Sequence, residues 1–398
     1  MGAHRSLDGL ALTALLRQLV AVESTNPGTQ EAAMADAVEA QLRGVEGIAL
    51  ARVETLPERD SLAAVVAGTA AGAFAGPRVI LNGHLDTVPV DDPAGWSVPP
   101  FAGELRDGHV YGRGACDMKA GLAVQIALLR RAAARRERMR GTLIGHFAVG
   151  EECGEPGTRS LLEAGFGGDV GVVLEPTSCR VATAARGLCH LRVRIAGRSV
   201  HASTAGAGDN PIWRLPAVLE AVAAHRAALA ERGHPLLPAP SCEPTVVRAG
   251  VKANAVADAL ELTLDRRLLP GETPAGALEE LRAHLAAAGA GDPGWAVEAQ
   301  LLPGAFPPAE IAVDAPFAAR LRAAAATVRA EPGPQPPAYG TPFASDVGHL
   351  VEAGIEAVTF GPGRIEHCHC ADERVPVADL LDTAVALSRA LDETFDRG

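Results

Sequence analysis

Three apolar runs in the first half of the chain each stop at a histidine or a carboxylate, and that repeated ending restricts the fold more than any other feature. Arg78-Val79-Ile80-Leu81-Asn82-Gly83 leads into His84-Leu85-Asp86, Gly141 to Val149 leads into Glu151-Glu152, and Val170 to Leu174 leads into Glu175. Short, nearly continuous apolar runs of this kind read as strands buried on both faces of a sheet. The C-terminal ends of such strands are where open α/β sheets gather the groups that hold ligands. The acidic residues at the strand ends are therefore expected to converge.

Helical periodicity fills the spaces between the runs. Apolar residues recur at helical spacing from Leu7 to Val22 and stop at the turn formers Ser24-Thr25-Asn26-Pro27-Gly28. Further helices are expected over Glu31 to Leu42 and Gly114 to Arg131. Strands alternating with helices imply an α/β fold, a mainly parallel sheet with helices on both faces.

The texture changes near Gly187. Leu188 to Ile195 alternates, Thr245 to Val251 and Ala259 to Leu268 read as strands, and Leu215 to Leu229 and Ala275 to Ala288 read as helices. This is a small α+β insert. The α/β pattern then resumes with a helix from Ala315 to Arg329, a loop holding Pro332, Pro334, Pro336 and Pro337, and a strand from Ala357 to Phe360. The expected organisation is a discontinuous catalytic domain, 1–182 and 304–398, interrupted by an inserted domain, 183–303. A chain of 398 residues is long enough for two cores.

Composition narrows the partners. A formal net charge of -12 leaves no basic surface to neutralise phosphates, so nucleic acid is not expected as a partner. The seven cysteines are odd in number and form no CxxC pair, which argues against a disulfide framework or a zinc ribbon and fits a reducing cytoplasm. Asp8, Arg17 and Glu23 break up the apolar N-terminal residues, so neither a signal-peptide core nor a membrane span is expected. Met1-Gly2 followed by Ser6 matches a myristoylation pattern, but no second membrane signal accompanies it.

The strand-end residues suggest metal chemistry. A histidine such as His84 can bind zinc through one ring nitrogen while a nearby carboxylate, here Asp86, accepts from the other and fixes the tautomer. Asp117 sits among glycines in Tyr111-Gly112-Arg113-Gly114-Ala115-Cys116-Asp117-Met118-Lys119-Ala120-Gly121. It could offer one oxygen to each ion of a metal pair, or simply cap the following helix. Glu151 and Glu152 are adjacent carboxylates that need a cation or a proton to coexist at a buried strand end. One can be a ligand and the other a general base. In Glu366-His367-Cys368-His369-Cys370, His369 reads as a ligand with the cysteines as neighbours. A separate Cys/His site is the competing reading, although its ligands are too close in sequence to wrap one tetrahedral ion.

With those residues in hand, the chain resembles the co-catalytic zinc metallopeptidase family that contains acetylornithine deacetylase, succinyl-diaminopimelate desuccinylase, aminoacylase and glutamate carboxypeptidase. Five segments carry the likeness, in order: Gly83 to Pro89, Tyr111 to Gly121, Glu151-Glu152, Leu174 to Thr177, and His369 with Asp372-Glu373. The resemblance implies a zinc-exopeptidase-like catalytic domain and a ferredoxin-like insert that serves as lid and dimerisation domain. It implies two Zn2+ per subunit, with Co2+ or Mn2+ as substitutes, held by His84, Asp117, Glu152, Glu175 and His369, with Asp117 bridging. Glu151 would then be the general base and Asp86 the residue that orients His84.

By the same resemblance His201, in Gly197 to Ala202, would reach a partner subunit's site and stabilise the oxyanion, so a homodimer is expected. Asn254 and Arg266 match lid positions that hold the substrate carboxylate. The Gly361 to His369 segment and Leu174 to Ser178 resemble the acetylornithine deacetylase branch more than the desuccinylase branch. That makes a small N-acyl amino acid, N-acetyl-L-ornithine first, the expected substrate of an amide hydrolase. Ala257 stands where the family usually has Pro, and Cys on both sides of His369 is rare in it.

Overall fold

The computed structural model describes residues 8–27, 31–72, 75–329 and 338–396. The Met1-Gly2-Ser6 pattern, Gly28 and the Pro332 to Pro337 loop lie outside the described residues. Chain contacts divide the protein into two compact units, one of 1–184, 310–341 and 345–398, the other of 185–309 with 342–344.

The first unit is built on a mixed sheet. Across it run Ala49–Leu56, Arg59–Ala67, Thr142–Ala148, Arg78–His84, Val170–Val173, Glu356–Thr359 and Ala182–Ala185. The four strands from Thr142–Ala148 to Glu356–Thr359 pair parallel. Apart from one residue at each start, they are buried along their length, as the apolar runs demand. Antiparallel strands flank this centre, including the hairpin of Ala49–Leu56 and Arg59–Ala67. That hairpin carries five charged residues around its turn, and although Leu62 to Ala67 is an unbroken apolar run, the expected elements above do not include it.

Helices cover both faces. Leu12, Leu16 and Leu19 of Gly9–Val20, Leu122, Ile126 and Leu129 of Ala120–Ala133, and Leu380, Leu387 and Leu391 of Val377–Asp396 join one continuous core with Val79, Leu81, Leu143 and Val172 of the sheet. On the other face Leu161 of Gly157–Glu163 packs on Ala63 and Ala148. Parallel pairing places His84 opposite Ala148 and Asn82 opposite Val173, so the three strands end side by side.

The expected helix from Gly114 starts later than its periodicity suggests. Ala115–Lys119 is an irregular turn in which Asp117 (φ -120°, ψ 99°) and Met118 leave helical geometry, and the regular helix begins at Ala120. Asp117 therefore does not cap the helix; its carboxylate is directed elsewhere.

The second unit is an antiparallel four-stranded sheet in the order Ser241–Ala249, Ala259–Leu268, Gly187–Ala196, Val297–Leu301. Helices Leu215–Ala230 and Pro274–Ala288 follow the first and third strands in the chain, which gives the ferredoxin-like β-α-β-β-α-β succession. Strict in-out alternation along Gly187–Ala196 and Ala259–Leu268 puts Leu191, Val193, Leu260, Leu262 and Leu264 against Val218, Val222, Leu281 and Leu285 of the helices.

Candidate metal centre

His84 ends its strand at 1% exposure, with its ring held from one side. Nδ1 lies 3.0 Å from the Asp86 carbonyl and 3.4 Å from Asp86 Oδ1. With Nδ1 turned to these acceptors, Nε2 is free to face the cluster. It lies 3.1 Å from Asp117 Oδ1 and 3.5 Å from Glu175 Oε1.

Asp117 is aimed by its own turn. The backbone N–H groups of Cys116 and Asp117 both donate to Glu373 Oε1, at 3.0 and 3.1 Å, while Arg113 Nη1 holds the other Glu373 oxygen at 2.6 Å. Asp117 thereby turns Oδ1 to His84 and Oδ2 to His369 Nε2, the latter at 3.2 Å. His369 also lies 3.2 Å from Glu152. Its backbone adopts a left-handed φ of 56°, uncommon for a residue with a Cβ, and this reverses the chain so that the imidazole meets the cluster.

Glu151 and Glu152 occupy a tight turn after the strand Thr142–Ala148. Gly150 opens it at φ 79°, and a Cβ there would sit 2.2 Å from Glu155 Oε2, so only glycine fits. Asp86 organises the turn from below: its Oδ1 accepts the Glu151 N–H at 3.2 Å and its Oδ2 the Glu152 N–H at 3.1 Å. One buried carboxylate thus orients both His84 and the two glutamates. Donor atoms of His84, Glu151 and Glu175 lie within 4.8 Å of one another, as do those of His84, Asp117 and Glu152.

The electrostatics of this arrangement are those of a cation site. Burial pushes the carboxyls of Glu151 and Glu175 well above the usual range, and neighbouring carboxylates add to the rise. Burial and Asp117 raise Glu152. Burial would raise Asp117 as well, but hydrogen bonds from His369 and His84 outweigh it and hold the carboxyl low. Asp117 and Glu152 push His369 up to about 11. Two imidazoles cannot balance the five carboxylates of Asp86, Asp117, Glu151, Glu152 and Glu175. Two divalent cations could, and the donor set of imidazole nitrogen and carboxylate oxygen suits zinc.

Several contributors were not singled out in the sequence. Asp346, 3% exposed, accepts from Thr158 Oγ at 2.6 Å, Thr158 accepts from Asn82, and burial pushes Asp346 up to about 6. Asn26 bridges Asp86 and Glu155 at 3.0 and 3.1 Å. Neither follows an apolar run, so strand-end reasoning cannot find them. Cys370 is exposed, and the buried Cys368 thiol donates to the Arg364 carbonyl at 3.5 Å, as the Cys116 thiol does at 3.3 Å. The described cysteines are all free.

In the second unit, His201 and Asn254 are exposed neighbours. The Asn254 carbonyl accepts the Ala202 N–H at 2.9 Å, and His201 Nδ1 bonds Ser203 Oγ at 2.7 Å. Arg266 requires a correction. It is fully buried on the helix-facing side of its strand, where Glu272 Oε1 takes Nη2 at 2.9 Å and the Arg267 carbonyl takes Nη1. A guanidinium spent in this way cannot clamp a substrate carboxylate. Strand alternation puts Arg267 on the opposite side, where it is paired with Asp265.

A cluster of carboxylates with the buried His84 and the more open His369, gathered around the C-terminal ends of parallel strands with a further glutamate beside it, is the donor set of a metal-dependent hydrolase of amide bonds. The chain belongs to the Peptidase family M20/M25/M40, whose description matches residues 80–393. It is 31% identical to an acetylornithine deacetylase of Myxococcus xanthus, over 96% of this chain and 97% of that protein. A succinyl-diaminopimelate desuccinylase of Corynebacterium glutamicum is 28% identical over 94% of each chain. Among solved structures, the Bacillus subtilis YXEP protein, described as a dinuclear metal binding peptidase of the M20 family, superposes with a TM-score of 0.70 at 18% identity, covering 98% of each chain.

Proposed function

We propose that this hydrolase removes the acyl group from an N-acyl-L-amino acid, with N-acetyl-L-ornithine the first substrate to try. The observation that carries the reading is Asp117, whose two oxygens face the imidazoles of His84 and His369 at 3.1 and 3.2 Å. Two ions, zinc first, would share Asp117, one also held by His84 and Glu175 and the other by Glu152 and His369. Bound there, they would lower the pKa of water and polarise the scissile carbonyl.

The remaining roles belong to the chain. Glu151 is the general base, taking a proton from the attacking water and returning it to the departing amine. Its carboxyl, raised by burial, is suited to both transfers. Asp86 couples the base to the His84 ring through the backbone of Glu151. His201 of a partner subunit would stabilise the oxyanion, and Asn254 would contact substrate at the lid. Both assignments follow from the family resemblance and presuppose a homodimer. With Arg266 excluded, the substrate carboxylate needs another contact.

Likeness to the Myxococcus xanthus protein supports the acetylornithine reading, and the desuccinylase likeness supports N-succinyl-diaminopimelate as the alternative. No described helix is long and apolar enough to cross a membrane. The test is hydrolysis of N-acetyl-ornithine, N-succinyl-diaminopimelate, N-acetyl-citrulline and simple dipeptides, with and without chelator. Chelator-sensitive preference for N-acetyl-ornithine is expected. A faster rate on a dipeptide would overturn the substrate, and turnover that survives full chelation would overturn the metal assignment.

A further inference from the structure

Around the turn that carries Glu151 and Glu152 lies a charged network that the proposed chemistry does not use. Arg59, 8% exposed at the start of the strand Arg59–Ala67, engages two carboxylates at once. Its Nε and Nη2 meet Glu31, the latter at 2.7 Å, and its Nη1 and Nη2 meet Glu155 at 2.9 and 2.5 Å. Glu31 is fully buried, and the Glu155 side chain is 27% exposed.

Both partners continue to the turn that carries Glu151 and Glu152. Glu31 Oε1 accepts the Gly150 N–H at 3.0 Å, at the entrance of the turn. Glu155 closes its exit, and Glu155 Oε2 accepts from Asn26 Nδ2, which also donates to Asp86. Asp86 in turn takes the N–H groups of Glu151 and Glu152. The guanidinium therefore grips the turn at both ends through separate carboxylates.

A buried ion network of this kind is a poor device for stability alone, because desolvating an arginine and two carboxylates offsets much of their attraction, and apolar packing would serve as well. What it supplies is orientation. Removing the cation would leave Glu31 and Glu155 as uncompensated anions beside a turn already crowded with negative charge. Both the base and one ligand would be free to shift.

We propose that Arg59 is a positioning residue of the metal centre, fixing the Gly150 to Glu155 turn so that Glu151 and Glu152 present their carboxylates at the cluster. This rests on the hydrolase reading for its kinetic consequence, but not for its geometric one.

The test compares Arg59→Met, Arg59→Lys and Glu155→Gln with the unaltered protein, each loaded with Co2+. Metal per chain, the visible Co2+ spectrum, and kcat and KM on the best amide substrate are measured. Arg59→Met is expected to keep two Co2+ per chain, to shift the Co2+ bands, and to lose about 10- to 100-fold in kcat with KM nearly unchanged. Arg59→Lys should recover part of that loss. An unshifted spectrum with unaltered kcat would overturn the proposal, as would loss of metal in step with activity, or Arg59→Lys behaving no better than Arg59→Met. If Arg59→Met does not fold, Glu155→Gln carries the test, with the same signature at smaller amplitude expected and unaltered spectrum and kcat overturning it. Absence of amide hydrolysis by the unaltered protein would refute the hydrolase reading instead, and the Co2+ spectra alone would then decide the role of Arg59.

Discussion

Asp117 and His369 meet at 3.2 Å between Oδ2 and Nε2, although the first belongs to an irregular turn beside the sheet and the second to a left-handed reversal near the C-terminus. The other Asp117 oxygen is spent on His84. A side chain so placed belongs to both halves of the cluster. Asp117→Ala should therefore abolish both metal sites together, taking bound zinc from two ions per chain to nearly none. Elemental analysis after reloading checks this. Retention of one tight ion would show that the carboxylate is not shared.

Glu151 is to be separated from the ligands by its chemistry. Glu151→Gln preserves size and the backbone bonds to Asp86 but cannot take a proton. Turnover should fall by about 10²- to 10⁴-fold with metal content unchanged. A parallel loss of metal would make Glu151 a ligand.

Asp86→Asn keeps one acceptor and replaces the other with a donor that opposes the Glu152 N–H. Loss of about 10- to 100-fold in metal affinity or activity is expected, read by chelator competition alongside initial rates. Wild-type values in both would remove Asp86 from the site.

Arg266 should behave as a structural residue. Arg266→Met removes the buried guanidinium from Glu272, which keeps Arg232 and the Leu269 N–H, and loss of a hydrogen bond to a charged group costs on the order of 1.5–3 kcal/mol. The denaturation midpoint should drop while KM stays near its starting value. A large rise in KM at unaltered stability would restore Arg266 to substrate binding.

Acid sensitivity follows from histidines kept neutral inside the protein. Burial depresses His146 to about 4, and burial with the nearby Arg266 charge depresses His225 to about 4. An unfolded chain takes up these protons near pH 6.5, the folded chain only near 4. The stability they contribute is complete above 6.5 and is lost as pH falls towards 4. His225→Gln should flatten the dependence of unfolding free energy on pH between 6.5 and 4 by about one proton. An unchanged slope would mean that His225 already carries its proton when folded.

What the sequence made legible was local. Arg78–His84 and Val170–Val173 announce themselves as unbroken apolar runs, and the residues that follow such runs inherit a position at the sheet edge without any knowledge of the rest. Ala259–Leu268 was readable to the residue because its alternation is uninterrupted. The hairpin of Ala49–Leu56 and Arg59–Ala67 is only half legible: Leu62 to Ala67 is an apolar run, but it ends at Gly68 with no histidine or carboxylate to mark it, and its partner strand mixes polar and apolar residues. The helix Val377–Asp396 passed unremarked although its buried Leu380, Ala384, Leu387 and Leu391 repeat at helical spacing. Arg266 takes the buried face because a one-residue difference in register decides the side, and the alternation of Leu260, Leu262, Leu264 and Leu268 already separates Arg266 from Arg267. Arg59, Glu31, Asn26 and Asp346 act through long-range contacts, which leave no trace in their immediate neighbours.

The two halves of the cluster are unequally sheltered. The His84 and Glu175 side chains are almost wholly enclosed, whereas the His369 side chain is 48% exposed. Solvent and small chelators thus have a way in from the His369 side that the opposite side denies them. Stripping cations from the protein should accordingly proceed in two stages, an exchangeable ion leaving early and a sequestered one persisting.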